Sequence, residues 1–169
     1  MDTPNEYPDG SERYHTTSLA EARGAVWSLL QEARHRIDIL SPDLDPQVYD
    51  QQPVLDSLRR IMVDGGRRAR IRILVANGAQ LAQRGHRLIE LARQLPSYMQ
   101  IRQLAEEDRA ETPAWVCADS EGFARWDSDA GYHGFVATEG RAEALRLERA
   151  FDELWERSRI EPALRRLSL

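Results

Sequence analysis

Apolar and polar positions alternate along the chain in two successive rhythms. From Leu19 onward, apolar residues return every three or four positions as Ala22, Val26, Leu29, Leu30 and Ala33. Ser18 and Glu21 stand at capping-box spacing, so this stretch predicts a helix that starts at Ser18. Arg36 to Leu40 then alternates as a short strand halted by Ser41-Pro42. After a loop from Ser41 to Gln52, Pro53 suits a first helical position. Leu55, Leu58, Ile61 and Met62 give that helix one apolar stripe, closed by Gly65-Gly66. Ile71 to Ala76 is nearly continuously apolar, as a strand covered on both faces requires. Asn77-Gly78 leads into helical spacing carried by Leu81, Leu88, Ile89, Leu91, Ala92 and Leu95, read as one helix stopped by Pro96.

Beyond Pro96 the helix-strand alternation gives way to neighbouring strands: Met99 to Leu104, Ala114 to Ala118, Phe123 to Trp126 and Tyr132 to Thr138. Asp119-Ser120-Glu121-Gly122 reads as a hairpin turn, with the glycine expected at a positive φ. Arg141 to Ser158 is a long amphipathic helix, followed by a short tail that buries Leu164, Leu167 or Leu169. The two rhythms together predict an α/β fold: a single three-layer domain with a mixed sheet and flanking helices. The proline- and glycine-bearing start, 1–16, is expected to be a flexible tail, leaving 17–169 as the domain.

Composition narrows the function. A chain of 169 residues with 41% hydrophobic content supports one full core. A net charge of -5 opposes a general nucleic-acid binder, which needs a basic surplus to displace counterions, so nucleic acid is not expected as a partner. Lone Cys117 excludes an internal disulfide and suits a reducing compartment. Asp2, Glu6, Asp9 and Glu12 open the chain without an apolar run, unlike a secretory signal. No stretch approaches the roughly 18 apolar residues of a membrane helix. The expected place is therefore the cytoplasm, away from membranes. All 23 basic residues are arginine. A chain without lysine cannot form a Schiff base, complete a P-loop or hold a phosphate through an ε-ammonium.

The element order from Ser18 to Leu169 resembles one half of the phospholipase D fold. Ala33-Arg34-His35-Arg36-Ile37-Asp38-Ile39-Leu40 is similar to that family's first helix-to-strand passage, and Phe151-Asp152-Glu153-Leu154-Trp155 to its closing helix. The whole also resembles the phospholipase-D-like domain that bacteria attach to the end of a GNAT-type acetyltransferase. In that superfamily a His-x-Lys, with four residues between the lysine and an Asp, supplies the nucleophile and the phosphate anchor. With Asp119 placed on the motif's aspartate, Thr112 falls on the histidine and Ala114 on the lysine. Register does not matter here, because the residues two beyond the four histidines are Thr17, Ile37, Leu88 and Phe135. The resemblance therefore implies a scaffold without its chemistry, a pseudoenzyme that binds or regulates. Active members join two halves, so it also implies a homodimer, accessory to a protein partner such as an acetyltransferase.

Four candidate sites remain. Asn77, Arg84, His86 and Arg87 follow the central strand, where α/β folds bind ligands, and would suit an anion. Asp38, Asp43 and Asp45 could serve a metal-dependent phosphatase or phosphodiesterase, although Asp45 before Pro46 also reads as a helix cap. His133 near Arg125, Asp127 and Asp129 has the minimum for acid-base work but no adjacent nucleophile. Arg59, Arg60, Arg67, Arg68, Arg70 and Arg72 form the best basic cluster, fit for RNA or an acidic partner, although a solvated face also explains it. The histidines show no metal-ligand spacing, so no metal and no cofactor is expected. Trp27, Trp115, Trp126 and Trp155 read as core.

Overall fold

The computed structural model describes residues 5–6, 12–110, 113–127 and 131–165. Its strands are β1 (Asn5–Glu6), β2 (Glu12–Thr16), β3 (Arg36–Leu40), β4 (Arg70–Val75), β5 (Met99–Gln103), β6 (Ala114–Ala118), β7 (Gly122–Trp126) and β8 (Gly134–Ala137). They form one sheet in the order β1-β2-β8-β7-β6-β3-β4-β5. Neighbours β3, β4 and β5 run parallel, joined by helical crossovers, whereas every other pair is antiparallel. The sheet is mixed, as the change of rhythm predicts.

The helices are α1 (Leu19–Glu32), α2 (Pro46–Tyr49), α3 (Gln52–Gly65), α4 (Gly78–Arg84), α5 (Arg87–Gln94), α6 (Arg141–Arg157) and α7 (Pro162–Arg165). Strand alternation sends Ile37, Ile39, Ile71, Ile73 and Val75 to one face, where they meet α1, α3 and α5. Leu40, Leu74, Trp115, Cys117 and Phe123 point the other way and meet Ala144, Leu147, Phe151 and Trp155 of α6. Among the described residues one helix, α6, covers that second face, making the third layer.

Three expectations change. Part of the stretch read as a tail is sheet: β2 pairs with β8, and Thr16 is buried with its hydroxyl donating to the Tyr132 carbonyl at 2.8 Å. Glu12 to Thr16 carries only Tyr14 among charged and polar residues, so periodicity gives no strand signal there. The remainder, 1–4 and 7–11, lies outside the described residues, as do Leu167 and Leu169. The helix expected from Gly78 to Leu95 breaks at Gly85, whose φ of 81° demands glycine, and restarts with His86 as cap. In the β6–β7 hairpin the positive φ values fall on Asp119 and Ser120, the two central residues of a tight turn closed by the Glu121 N–H on the Ala118 carbonyl. Gly122 serves another need: a Cβ there would stand 2.8 Å from Leu29.

Candidate functional site

Parallel pairing of β3 with β4 sets Asp38 beside Arg72 and Arg36 beside Arg70, all on the face under α6. Asp38 is 1% exposed, so its charge needs a partner. Arg72 supplies it as a fork: Nε donates to Oδ1 at 2.8 Å and Nη2 to Oδ2 at 3.0 Å. The same Nη2 reaches Asp152 of α6 at 2.7 Å, and the guanidinium lies over the rings of Phe151 and Trp155. Burial alone would lower the Arg72 pKa, but the bonds to Asp38 and Asp152 offset it and hold the group above its ordinary value. Arg36 pairs with Glu148 of α6, which also accepts from the Ser120 hydroxyl. The result is a chain of alternating charges tying β3, β4 and the β6–β7 turn to α6. Its groups hold one another and none is a free nucleophile. Cys117, opposite Asp38 on β6, is buried, and burial and then the Asp38 charge push its thiol pKa far up, so it stays neutral.

Asp119 has a different duty. Its carboxylate accepts the backbone N–H of Arg34 at 2.7 Å, His35 at 2.9 Å and Arg36 at 2.8 Å, anchoring the turn to the start of β3. Ala114, aligned with the resembled family's lysine, opens β6 with no polar group, and Thr112 lies outside the described residues.

At the opposite end of β3, where α/β sheets commonly bind ligands, a hydrogen-bonded chain fills the space. Trp126 Nε1 donates to Thr16 Oγ1 at 3.0 Å, Thr16 to the Tyr132 carbonyl, and the Tyr132 hydroxyl to Asp45. Leu44 and Tyr132 are held there at positive φ. Burial, then the bond to Asp45, raises the Tyr132 pKa, and burial raises that of Tyr49, so both phenols stay protonated.

The anion-site residues are placed separately. Asn77 caps α4 by accepting from the Gln80 N–H at 3.0 Å, and Arg84 is exposed in the last turn of that helix. Arg87 is engaged by Asp50, its Nε donating at 2.6 Å, and by Gln52. His86 is buried: Nδ1 accepts the Leu88 N–H at 3.2 Å, which leaves the ring proton on Nε2 to donate to the Leu44 carbonyl at 3.1 Å. Burial lowers the His86 pKa below its ordinary value. The unfolded chain therefore binds this proton more readily, so stability is lost as pH falls below about 6.5. Urea unfolding at pH 7.5 and 5.5 should show this loss, and His86→Asn should reduce it.

The acidic trio is also divided. Asp38 is committed to Arg72, Asp45 caps α2 through the Gln47 N–H at 2.9 Å, and Asp43 is exposed. Among the described residues no three His, Cys, Asp or Glu side chains gather to hold a metal ion. The arginine cluster does not form one face either. Arg60 donates to the Leu30, Gln31 and Ala33 carbonyls at the end of α1, and Arg72 is buried, leaving Arg59, Arg67, Arg68 and Arg70 exposed. His133 is exposed, Arg125 lies 3.6 Å from Glu143, and Asp129 is outside the described residues. The tryptophans behave as core, with Trp115, Trp126 and Trp155 buried.

Sequence reading misses a groove of about 370 Å³ along the outer edge of β5, bounded by α5, α7 and the segment after α6. Met99, Ile101, Ile160 and Leu164 give it apolar walls, and Arg102 and Arg165 stand at it. Arg102 lies 4.3 Å from the Trp155 ring centre. The hint in the sequence is an arginine in a short strand whose alternate positions, Met99 and Ile101, are apolar.

This architecture is shared with solved proteins of the phospholipase D fold. NucT from Helicobacter pylori aligns with a TM-score of 0.55 at 13% identity over 87% of this chain and 97% of its own. Nuc from Salmonella typhimurium, a phospholipase D family member, gives 0.55 at 12% identity over 88% and 97%. TrmBL2, an archaeal chromatin protein that binds DNA, gives 0.63 at 14% identity, with 90% of this chain spanning 55% of that one. This chain thus matches the smaller proteins over nearly their whole length and TrmBL2 over about half. Its fold is that of a phospholipase-D-like α/β domain. Residues 18–167 match the model of the family described as Domain of unknown function (DUF7931), and the chain belongs to that family. No curated protein matches the sequence. No described helix is long and apolar enough to cross a membrane.

Proposed function

We propose that this chain is a non-catalytic phospholipase-D-like module that acts by binding, as a homodimer, and regulates or localises a protein partner. The observation that carries this reading is the use made of Asp119. The residue aligned with the family's motif aspartate turns its carboxylate onto three backbone N–H groups, while the lysine position is Ala114. The carboxylates and guanidinium groups under α6 likewise neutralise one another, which suits a scaffold. The resemblance to a domain attached to acetyltransferases favours an acetyltransferase as partner. The pairing of two halves in active relatives favours the dimer, and symmetric dimers are the commonest soluble oligomers.

The test is direct. At high protein concentration, bis-(p-nitrophenyl) phosphate should not turn over, with or without magnesium, and no acid-labile phosphohistidine should form. Magnesium-dependent turnover that disappears in Asp43→Asn would sink the reading in favour of the acidic trio. Sedimentation should give twice the 19.4 kDa chain mass, and a strict monomer removes the dimer.

A further inference from the structure

The edge of β5 is open where every inner strand is paired. β4 occupies one side of it, and the sheet ends there. On the other side, among the described residues, one strand-type bridge forms: Gln103 exchanges both hydrogen bonds with Arg159, at 2.9 Å and 2.8 Å, in antiparallel fashion. After Arg159 the chain leaves the edge, and Pro162 starts α7. Strand groups alternate in direction, so Ile101, two residues before Gln103, also turns its N–H and carbonyl outward. The neighbouring groups confirm the phase, because the Tyr98 carbonyl and the Leu104 N–H both point in, to Ile71 and Val75 of β4. Exposed edges of this kind recruit further strands unless something blunts them.

We propose that the open edge of β5 and its groove bind an extended, acidic peptide segment of a partner protein, which adds to the sheet as a further strand. This rests on the binding-module reading and names its ligand class. Main-chain hydrogen bonds to Ile101 supply affinity without sequence, and the groove supplies selection through alternate side chains. Its volume of about 370 Å³ falls within the range of ligand pockets, and Ile160, 50% exposed, offers an apolar contact at its mouth.

Charge decides which peptide fits. Arg102, Arg159 and Arg165 surround the edge, and among the described residues none of them has a carboxylate within salt-bridge distance. The nearby acids are already engaged: Glu90 by Arg93 at 2.6 Å and Glu161 by the Ala163 N–H at 3.1 Å. The Arg102 guanidinium is held on the Trp155 ring, and its Nε is buried without a hydrogen-bond partner. A carboxylate arriving beside an added strand would meet these cations at the rim, where complementary charge sets partner choice. Phosphate backbones would also meet arginine, but they cannot pair with the outward N–H and carbonyl of Ile101. A peptide can.

The test pans random linear peptides displayed on phage against the full chain, then measures the enriched peptides with the labelled protein. The expected result is enrichment of sequences with acids interspersed among alternating apolar residues. They should slow hydrogen exchange at the Ile101 N–H and bind about tenfold or more weakly to Arg102→Glu and to Ile160→Asp. Both replaced side chains reach solvent, and unchanged circular dichroism would confirm that the variants fold. Enrichment without acids, or acidic peptides that leave Ile101 unprotected, overturns the proposal. So does tighter binding of a single-stranded DNA oligonucleotide that displaces the peptide. Concentration-dependent protection of Ile101 in the chain alone, lost in Ile160→Asp, would give the edge to a second copy. Protection lost on deleting Arg166 to Leu169 would give it to the chain's own end. Phosphodiester turnover sinks the non-catalytic reading without touching the edge, whereas an edge that captures nothing, in a chain with no turnover, removes this proposal alone.

Discussion

Arg72→Met is expected to destabilise the fold by about 3–5 kcal/mol, because it leaves Asp38 charged and buried with only the longer 3.4 Å contact to Arg36 Nε. The side chain of Asp38 is 1% exposed and that of Arg72 8%. Water therefore cannot take over when the guanidinium leaves. Methionine retains much of the packing over Phe151 and Trp155, so the loss isolates the charge more than the contact. Asp38→Leu in the same chain should recover most of the stability, since a buried pair replaced by apolar groups of similar volume is often neutral. The bond from Arg72 to Asp152 contributes less, because Asp152 is half exposed. Urea unfolding of wild type, both single variants and the double variant measures the coupling. A cost below about 1 kcal/mol for Arg72→Met would mean that Arg36, water or a local shift already compensates Asp38.

That ion pair also marks the limit of what the sequence discloses. Asp38 is conspicuous as an acid inside an otherwise apolar strand, and a buried acid demands a partner. Besides Arg36 at 3.4 Å, its forked partner lies 34 residues away and is selected by the parallel register of β3 and β4, which no local pattern encodes. Arg72 consequently reads as one of a basic cluster when it is a core residue. The same logic separates the remaining successes from the failures. Ser18, Asp45 and Pro53 announce helix starts because capping is a contact over two or three residues. The mixed sheet follows from a change in periodicity, also local. His86 was visible only as a histidine near arginines. Its burial and its two ring bonds depend on Leu44, 42 residues earlier, while the cue for the helix break was Gly85. The β5 groove was hidden because its far wall comes from the segment after α6, which returns to the sheet edge at Arg159.

Neutralised charges under α6 and the open edge at β5 belong to one arrangement. The paired groups fix α6 on the sheet, which fixes Trp155, and Trp155 in turn positions Arg102 beside the groove. Loss of Arg72 should therefore weaken peptide capture as well as stability, although Arg72 does not line the groove. That coupling distinguishes a surface held in shape by the core from a loose basic patch.

Asp119→Ala is the second large effect, expected at about 3 kcal/mol, since hydrogen bonds to a charged group contribute about 1.5–3 kcal/mol each and do not add fully. Three consecutive N–H groups at the entry to β3 lose their acceptor at once. The Arg34 N–H can turn to water, but those of His35 and Arg36 are partly buried and recover less. Asp119→Asn should cost about half as much, because the amide oxygen can still accept from His35 and Arg36 while its NH₂ faces the Arg34 N–H. Asp119→Gly provides the control for backbone strain: φ at this position is 54°, which glycine adopts more easily than alanine, so Gly should exceed Ala by roughly 1 kcal/mol. Hydrogen exchange at Arg34, His35 and Arg36 should accelerate in the same order. If Asp119→Ala instead keeps full stability and slow exchange at all three amides, the carboxylate is not the anchor of β3. The strongest structural reason for reading this scaffold as one without catalysis would then fall with it.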